Sequence, residues 1–127
     1  MRLVLDVVPG RLAIARLDPD APPPAWAAGP PPTSITRTGA ELSVVCAEAL
    51  VPASVRHVGG YRALAVRGPL DFALTGIVSG ITAPLAAAGV PVFVISTFDT
   101  DLVLVPQEHL AGAVTALQEL GHEVAGR

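Results

Sequence analysis

The chain has 127 residues, enough for one compact domain or for two small ones that share a core. Hydrophobic residues make up 51% of it, but Gly and Pro interrupt the long uncharged stretches, so we expect no membrane-spanning segment and no membrane partner. The formal net charge is −3, and the arginines are scattered with no lysine beside them, which argues against nucleic acid as a partner.

The first residues lack the apolar region and the cleavage site of a signal peptide, so we expect a cytoplasmic protein. Residues 3–8 and 11–17 are two runs compatible with strands, and Pro9 and Gly10 between them favour a tight turn. We predict a hairpin over this segment.

Residues 18–32 contain seven prolines, which confine any helix to the few residues around 25–28. We predict a surface connection that Trp26 anchors to the core, and a proline-rich ligand for SH3-like modules is the alternative. Residues 34–37, 38–41 and 42–47 then predict a strand, a turn and a strand, with one helical turn at 48–50. Cys46 lies in an apolar run and is predicted to be a buried, unreactive residue.

A further strand is predicted over 61–67, and the apolar residues from Phe72 to Ala88 then follow helical spacing. Asp71 is placed to cap that helix and Gly89 to end it, with Pro84 inside. Two apolar runs around a polar turn predict a β-hairpin over 90–106. Residues 107–120 predict an amphipathic helix that ends at Gly121, and 123–124 predict a short last strand. The apolar face of this helix consists of Leu110, Ala113, Val114, Leu117 and Leu120.

The sequence contains an internal repeat. A shift of 60 positions places residues 35–50 on 95–110, and a shift of 51 places the preceding strand, 12–16, on 63–67. The nine additional residues in the second half correspond to a helix that the first half has lost. We therefore predict an α+β fold of two βαββ units in tandem, 1–58 with a shortened helix and 59–127 complete. We expect antiparallel sheets with the helices on one face, and a homodimer that covers the other face.

No pair of residues predicts catalysis. His57, His109 and His122 lie far apart in polar contexts without metal-ligand spacing, and we expect them to face solvent. Asp99 and Asp101 would point the same way on an extended strand, which suits a metal or an acid–base pair, although turn carboxylates more often bind backbone amides. We expect no enzyme activity, no metal and no cofactor.

Residues 68–77, Gly-Pro-Leu-Asp-Phe-Ala-Leu-Thr-Gly-Ile, together with residues 87–105, resemble an ACT domain. The resemblance is to the tandem, aspartokinase-like ACT modules of the CASTOR type, and it covers nearly the whole chain. The first half departs from the family pattern in its short helix. The resemblance implies a ferredoxin-like fold and a small regulatory protein that binds an amino acid or a related metabolite at an interface between ACT units.

Carried onto matching positions, the resemblance implies two groups of ligand-binding residues. One follows the strand at 61–67: Gly68, Pro69, Leu70, Asp71, Phe72, Thr75, Gly76 and Ile77. The other lies in the hairpin: Ile95, Ser96, Thr97, Phe98, Asp99 and Asp101.

Physical chemistry agrees with such a site. A helix that begins near Asp71 would offer free backbone N–H groups to an α-carboxylate, unless Asp71 itself caps them. Asp99 or Asp101 would then receive an ammonium group or a cationic side chain. Two alternatives stay open: a ligand-free structural or protein-interaction module with the same fold, and a small enzyme that uses the two aspartates.

Overall fold

The computed structural model describes residues 2–126. Contacts divide the chain into two compact units, which we describe separately: a helical unit built from residues 2–9 and 62–126, and an inserted unit built from residues 10–61. The strands are β1 (Val4–Leu17), β2 (Ser34–Arg37), β3 (Leu42–Ala47), β4 (His57–Val66), β5 (Phe93–Ser96), β6 (Asp101–Pro106) and β7 (Glu123–Ala125). The α-helices are α1 (Ile77–Ala87) and α2 (Leu110–Glu119).

Strand β1 is continuous, so the predicted hairpin over 3–17 is wrong. Its first residues, Val4–Asp6, pair in parallel with Glu123–Ala125, and its last, Leu12–Leu17, pair antiparallel with β3. Gly10 lies between the two stretches with φ +94°, a conformation that glycine adopts at little cost. The Pro–Gly step therefore interrupts the regular strand conformation without reversing the chain, because each half of β1 has a different pairing partner.

In the helical unit the strands lie in the order β7-β1-β4-β6-β5. Alternate residues of these strands point to one face, where α1 and α2 pack on them. The buried core is formed by Leu3, Leu5, Val7, Leu64, Val66, Ile77, Ile81, Leu85, Val90, Val103, Val105, Ala113, Val114 and Leu117. The predicted ferredoxin-like α+β fold with helices on one face of the sheet is confirmed for this unit.

Helix α1 begins later than predicted. Gly76 is its N-cap residue, with φ +80°, and the helix runs from Ile77 to Ala87 with Pro84 inside it. Asp71 does not cap it, because the Asp71 carboxylate accepts a hydrogen bond from the Ala73 N–H at 2.8 Å and closes a local turn instead. The predicted end is confirmed, since Gly89 has φ +74° and the Val90 N–H returns to the Leu85 carbonyl at 2.9 Å.

Helix α2 follows a single 3-10 turn, Gln107–His109, and buries Ala113, Val114 and Leu117 as predicted. Leu120 lies past the helix end and is 61% exposed, so its place on the buried face was wrong. His122 is also different from expectation. It is buried, its Nδ1 accepts a hydrogen bond from the Leu3 N–H, and its Nε2 lies 3.3 Å from the Gly80 carbonyl oxygen.

In the inserted unit the strands lie in the order β2-β3-β1, and β2 and β3 form the predicted hairpin. The proline-rich segment contains a single 3-10 turn, Ala25–Ala27, at the predicted place. Trp26 packs against a buried cluster of Ala15, Ala27, Leu42, Val44 and Cys46, so its role as an anchor and the burial of Cys46 are confirmed. Within residues 10–61 the other helical segment is the 3-10 turn Glu48–Leu50.

The internal repeat is visible in both units, but at an offset of 59 in the hairpins. The pair Arg37–Leu42 that ends β2 and begins β3 corresponds to the pair Ser96–Asp101. The 3-10 turns Glu48–Leu50 and Gln107–His109 correspond at the same offset. The predicted sequence boundary between 58 and 59 stays a prediction about the repeat, since the compact units share β1 and β4. Within residues 2–126, neither α-helix is long and apolar enough to cross a membrane.

Candidate functional site

A cleft of about 420 Å³ opens in the helical unit between the loop that follows β4 and the tip of the β5–β6 hairpin. Small-molecule sites in proteins commonly measure roughly 300–1,000 Å³. The first wall of the cleft is formed by Leu70, Asp71, Phe72, Leu74, Gly76, Ile77, Val78 and Ser79, and the second by residues 96–101.

The two walls are held together by backbone contacts at the closed end of the cleft. The Leu70 N–H donates to the Asp99 carbonyl at 2.6 Å, and the Thr100 hydroxyl donates to the Val66 carbonyl. Gly68 permits this approach, because a Cβ at that position would lie 3.0 Å from the Asp99 carbonyl oxygen. Gly68 therefore shapes the cleft without lining it.

The first turn of α1 supplies N–H donors to the cleft. Gly76 has no side chain, so it cannot cap the helix, and the hydrogen bonds found for the described residues include no side-chain cap at this end. The Gly80 N–H donates to the Gly76 carbonyl, which leaves the N–H groups of Ile77, Val78 and Ser79 outside the intrahelical ladder. A helix N-terminus of this kind carries partial positive charge and suits a carboxylate.

The hairpin tip is rigidly bonded. The Thr97 N–H donates to the Thr100 carbonyl at 2.8 Å, and the Thr97 hydroxyl oxygen accepts from the Thr100 N–H at 3.1 Å. These bonds fix the backbone of the turn. Asp99 lies on the exposed side of this turn.

Asp101 is the most informative side chain of the site. It is only 9% exposed, and the Ser96 hydroxyl donates to its Oδ1 at 2.5 Å. The corresponding residue of the inserted unit is Leu42, which is fully buried in an apolar core. A carboxylate is costly to bury unless it is hydrogen-bonded, and such departures from an apolar core are typical of functional positions.

Two aromatic rings stand at the open side of the cleft. Phe72 and Phe98, one from each wall, meet edge to face with ring centroids 4.8 Å apart. They are 73% and 80% exposed, so the two rings form an exposed apolar rim of the cleft. Exposed aromatic pairs of this kind are typical of contact surfaces for ligands or partners.

The ionisable side chains that line the cleft are all acidic: Asp71, Asp99 and Asp101. The Asp71 carboxylate accepts from the Ala73 N–H, and the Asp101 carboxylate accepts from the Ser96 hydroxyl. Among residues 2–126, no hydrogen bond is found for the Asp99 carboxylate. The cleft is thus lined by both helix N–H donors and carboxylate acceptors, which suits a ligand that carries both an anionic and a cationic group.

The structure brings ten of the fourteen predicted site residues to one cleft. The predicted residues that do not line it are Gly68, Pro69, Thr75 and Ile95. The sequence reasoning missed Leu74, Val78, Ser79 and Thr100. Val78 and Ser79 were missed because the helix was expected to begin at Asp71, so its true first turn was assigned to the interior. Gly76 was the available signal, because glycine is unfavourable inside a helix and is accepted at the N-cap position.

The family model described as "ACT domain" matches residues 56–119. The chain belongs to the ACT domain family. A second model, which describes an N-terminal domain, matches residues 10–54.

Among solved structures, this ACT domain protein is similar to protein Atu0741 from Agrobacterium tumefaciens. The TM-score is 0.93 at 39% identity, with 98% of this chain and 93% of that chain covered. The regulatory subunit of aspartate kinase from Thermus thermophilus matches with a TM-score of 0.62 at 13% identity, with 92% and 94% covered. At that identity the second likeness supports the fold alone.

A shorter similarity links the chain to the human protein named "Cytosolic arginine sensor for mTORC1 subunit 1". The two are 44% identical over 50 residues, which is 39% of this chain and 15% of the sensor. The matched region thus spans less than a fifth of that relative's length.

Proposed function

We propose that this ACT domain protein is a regulatory protein that binds a free amino acid, and that the ligand lies in the cleft between the first turn of α1 and the β5–β6 hairpin. The observation that carries this proposal is the pairing of an uncapped helix N-terminus with a buried carboxylate, Asp101, across an open cleft. The function is binding, and no chemical step is required.

An α-amino acid fits the polar groups of the cleft. Its carboxylate would accept hydrogen bonds from the N–H groups of the first turn of α1, where the helix dipole favours negative charge. Its ammonium group would lie near Asp101, whose Oδ1 already accepts from Ser96. An open cleft of this volume favours this function over the ligand-free module, for which side chains filling the space near Ser96 would be expected.

The acidic lining favours a ligand whose side chain is also cationic. Asp99 is exposed at the rim and the described hydrogen bonds leave its carboxylate free to meet a second positive charge beside the Phe72 and Phe98 rings. A relative of this chain is named as an arginine sensor, so arginine is the first amino acid to test. Lysine is the second.

The bare rim formed by Phe72 and Phe98 would be covered by a second copy of the chain, which places the ligand at an interface between ACT units. We expect a homodimer whose dissociation constant falls when ligand is present. A ligand that contacts both copies stabilises the dimer by mass action. Sedimentation velocity with and without arginine measures this coupling.

Calorimetry and a thermal-shift series over the twenty amino acids test the binding itself. We expect stabilisation that rises with concentration for arginine or lysine, and about tenfold weaker binding of that ligand to Asp99→Asn, which corresponds to roughly 1.4 kcal/mol. Asp20→Asn is the matched control, since Asp20 is an exposed aspartate of the inserted unit and should leave binding unchanged. Absence of stabilisation by every amino acid would contradict the proposal.

A further inference from the structure

The turns of the two hairpins have the same hydrogen bonds at an offset of 59 residues. The Thr38 N–H donates to the Glu41 carbonyl at 2.9 Å, and the Thr97 N–H donates to the Thr100 carbonyl at 2.8 Å. Each threonine hydroxyl oxygen also accepts from the N–H three residues later. The two tips are therefore one backbone template carrying different side chains.

The bases of the two hairpins correspond as well. In the inserted unit Arg11 pairs with Glu48, with Nε and Oε2 3.2 Å apart. In the helical unit Arg62 donates from Nη1 to Gln107 Oε1 at 3.3 Å. The arginines differ by the offset of the first strands, 51, and their partners by the hairpin offset, 59, so the correspondence extends beyond the tips.

At this correspondence Arg37 stands where the helical unit has Ser96. The Arg37 guanidinium donates from Nη1 to the Pro19 carbonyl and from Nη2 to the Ala21 carbonyl, the latter at 2.8 Å. Both carbonyls belong to the loop that follows β1. Charge-assisted hydrogen bonds from both Nη atoms of one guanidinium fix that group in orientation as well as in position.

The equivalent place in the helical unit is the cleft. The offset of 51 carries Pro19 to Leu70 and Ala21 to Phe72, and both of these residues line the cleft opposite Ser96. The Ser96 side chain is short, and its hydroxyl is directed to Asp101. The space that Arg37 spans in one unit is thus left open in the other.

We propose that Arg37 is a built-in occupant: the inserted unit contains the counterpart of the cleft, and the chain's own guanidinium fills it. Shortening Arg37 turns that counterpart into a site for a small free guanidinium compound. This inference concerns the inserted unit and does not rest on amino-acid binding by the helical unit. Arg37 is exposed, so a compound from solvent has direct access to the carbonyls of Pro19 and Ala21.

The first test uses Arg37→Ser with N-methylguanidinium as the probe, at about 20 mM, where guanidinium-type denaturation is weak. We expect the variant to lose thermal stability and the probe to restore about 2 °C of it, as for a ligand near twice its dissociation constant. Arg56→Ser is the control. Arg56 is an exposed arginine of the same unit, and among residues 2–126 no hydrogen bond or ion pair is found for its side chain. Methylammonium at the same concentration controls for charge.

Amide NMR spectra locate the effect. In Arg37→Ser the probe should shift the amide signals of residues 19–23 and 36–41, and in the wild-type protein it should not. An equal thermal response of the two arginine variants, or shifts spread evenly over the chain, overturns the inference.

The reciprocal variant, Ser96→Arg, keeps the inference testable if Arg37→Ser does not fold. A new guanidinium at position 96 should bond to the carbonyls of the loop after β4, so the amide signals of residues 70–73 should shift in the absence of any ligand. Unchanged signals there overturn the inference. If Ser96→Arg behaves as expected while no amino acid binds the wild-type protein, the proposed function fails and this inference stands.

Discussion

The hairpins of the two units differ in the cross-strand pair next to the turn, and we infer that this pair determines whether a cleft is open. The inserted unit has Arg37 opposite Leu42, and the helical unit has Ser96 opposite Asp101. The turn between the members of each pair has the same hydrogen bonds in both units. The backbone template thus fixes where a site can be, while the side chains at its first and last positions determine whether the site is filled by the chain or left for a ligand.

The units also differ in what covers their cores. Two α-helices cover the helical unit, whereas the segment with Trp26 packs on the core of the inserted unit. Residues 10–61 contain no α-helix, so the inserted unit offers no α-helix N-terminus to a carboxylate. This difference makes the helical unit the better candidate for ligand binding, and four measurements test the contrast between corresponding positions.

The largest effect is expected from the core under the helices. Leu117→Ala removes a fully buried side chain from α2 and should lower the free energy of unfolding by about 2–5 kcal/mol. Leu120→Ala is the matched control on the same segment, and because Leu120 is 61% exposed it should change that free energy by less than about 0.5 kcal/mol. Urea denaturation measures both, and equal effects would contradict the assignment of this helix face.

The second measurement converts the Asp101 position to its counterpart in the repeat. Asp101→Leu removes a carboxylate that is costly to bury, so we expect the free energy of unfolding to stay level or rise by about 1 kcal/mol. Binding of the cationic amino acid should weaken at least tenfold, about 1.4 kcal/mol. A marked loss of stability with unchanged binding in calorimetry would show that Asp101 is structural.

The third compares two glycines of the helical unit. Gly68→Ala places a Cβ 3.0 Å from the Asp99 carbonyl oxygen and 3.2 Å from the Leu70 nitrogen, so it should separate the cleft walls and lower stability by about 1–2 kcal/mol. Gly112→Ala lies in α2 with nothing within 4 Å, and should raise stability by about 0.5–1 kcal/mol. Thermal unfolding of the two variants should therefore shift in opposite directions.

The smallest effect concerns corresponding arginines at the strand ends. Arg67 donates to both oxygens of Asp6, and this guanidinium holds the pKa of the Asp6 carboxyl below its ordinary value. A lowered folded-state pKa gives stability that is present above the unfolded pKa of about 3.9 and is lost as the pH falls through the folded value. Arg16 instead donates to the neutral Ala40 carbonyl at 3.0 Å.

Arg67→Gln should therefore lower stability at pH 7 more than at pH 3, and Arg16→Gln should have the same effect at both. Both groups of the ion pair are exposed, so the effect should be small and should shrink in about 0.5 M salt. Urea denaturation at the two pH values decides the matter, and parallel behaviour of the two variants would contradict the comparison.

Much of this architecture could be predicted because it depends on local patterns. The β5–β6 hairpin, the last helix and the 3-10 turn at Ala25–Ala27 follow from apolar periodicity and from the positions of proline. The start of α1 could not be predicted in the same way. Phe72 and Leu74 continue the helical spacing, but Asp71 closes a local turn, and the positive φ of Gly76 moves the helix start to Ile77.

The hairpin expected over 3–17 and the exposure expected for His122 were wrong for a tertiary reason. The first residues of β1 pair with residues more than 100 positions away, and His122 is buried by the same arrangement. Ten of the predicted site residues line one cleft. One wall is the segment after β4 and the other is the tip of the β5–β6 hairpin, and both are local features of the sequence. The contrast between Asp101 and Leu42 needed the register of both hairpins.

Strand β1 also constrains how the protein can be made. Residues 10–61 form their unit from contiguous sequence, so the contacts within it can form while the ribosome is still synthesising the rest. In the other unit, the pairing of Val4–Asp6 with Glu123–Ala125 can form only after residues 123–125 have emerged. During synthesis the first residues of β1 are therefore an unpaired strand edge, and a chaperone that shields such edges would be most useful to this protein at that moment.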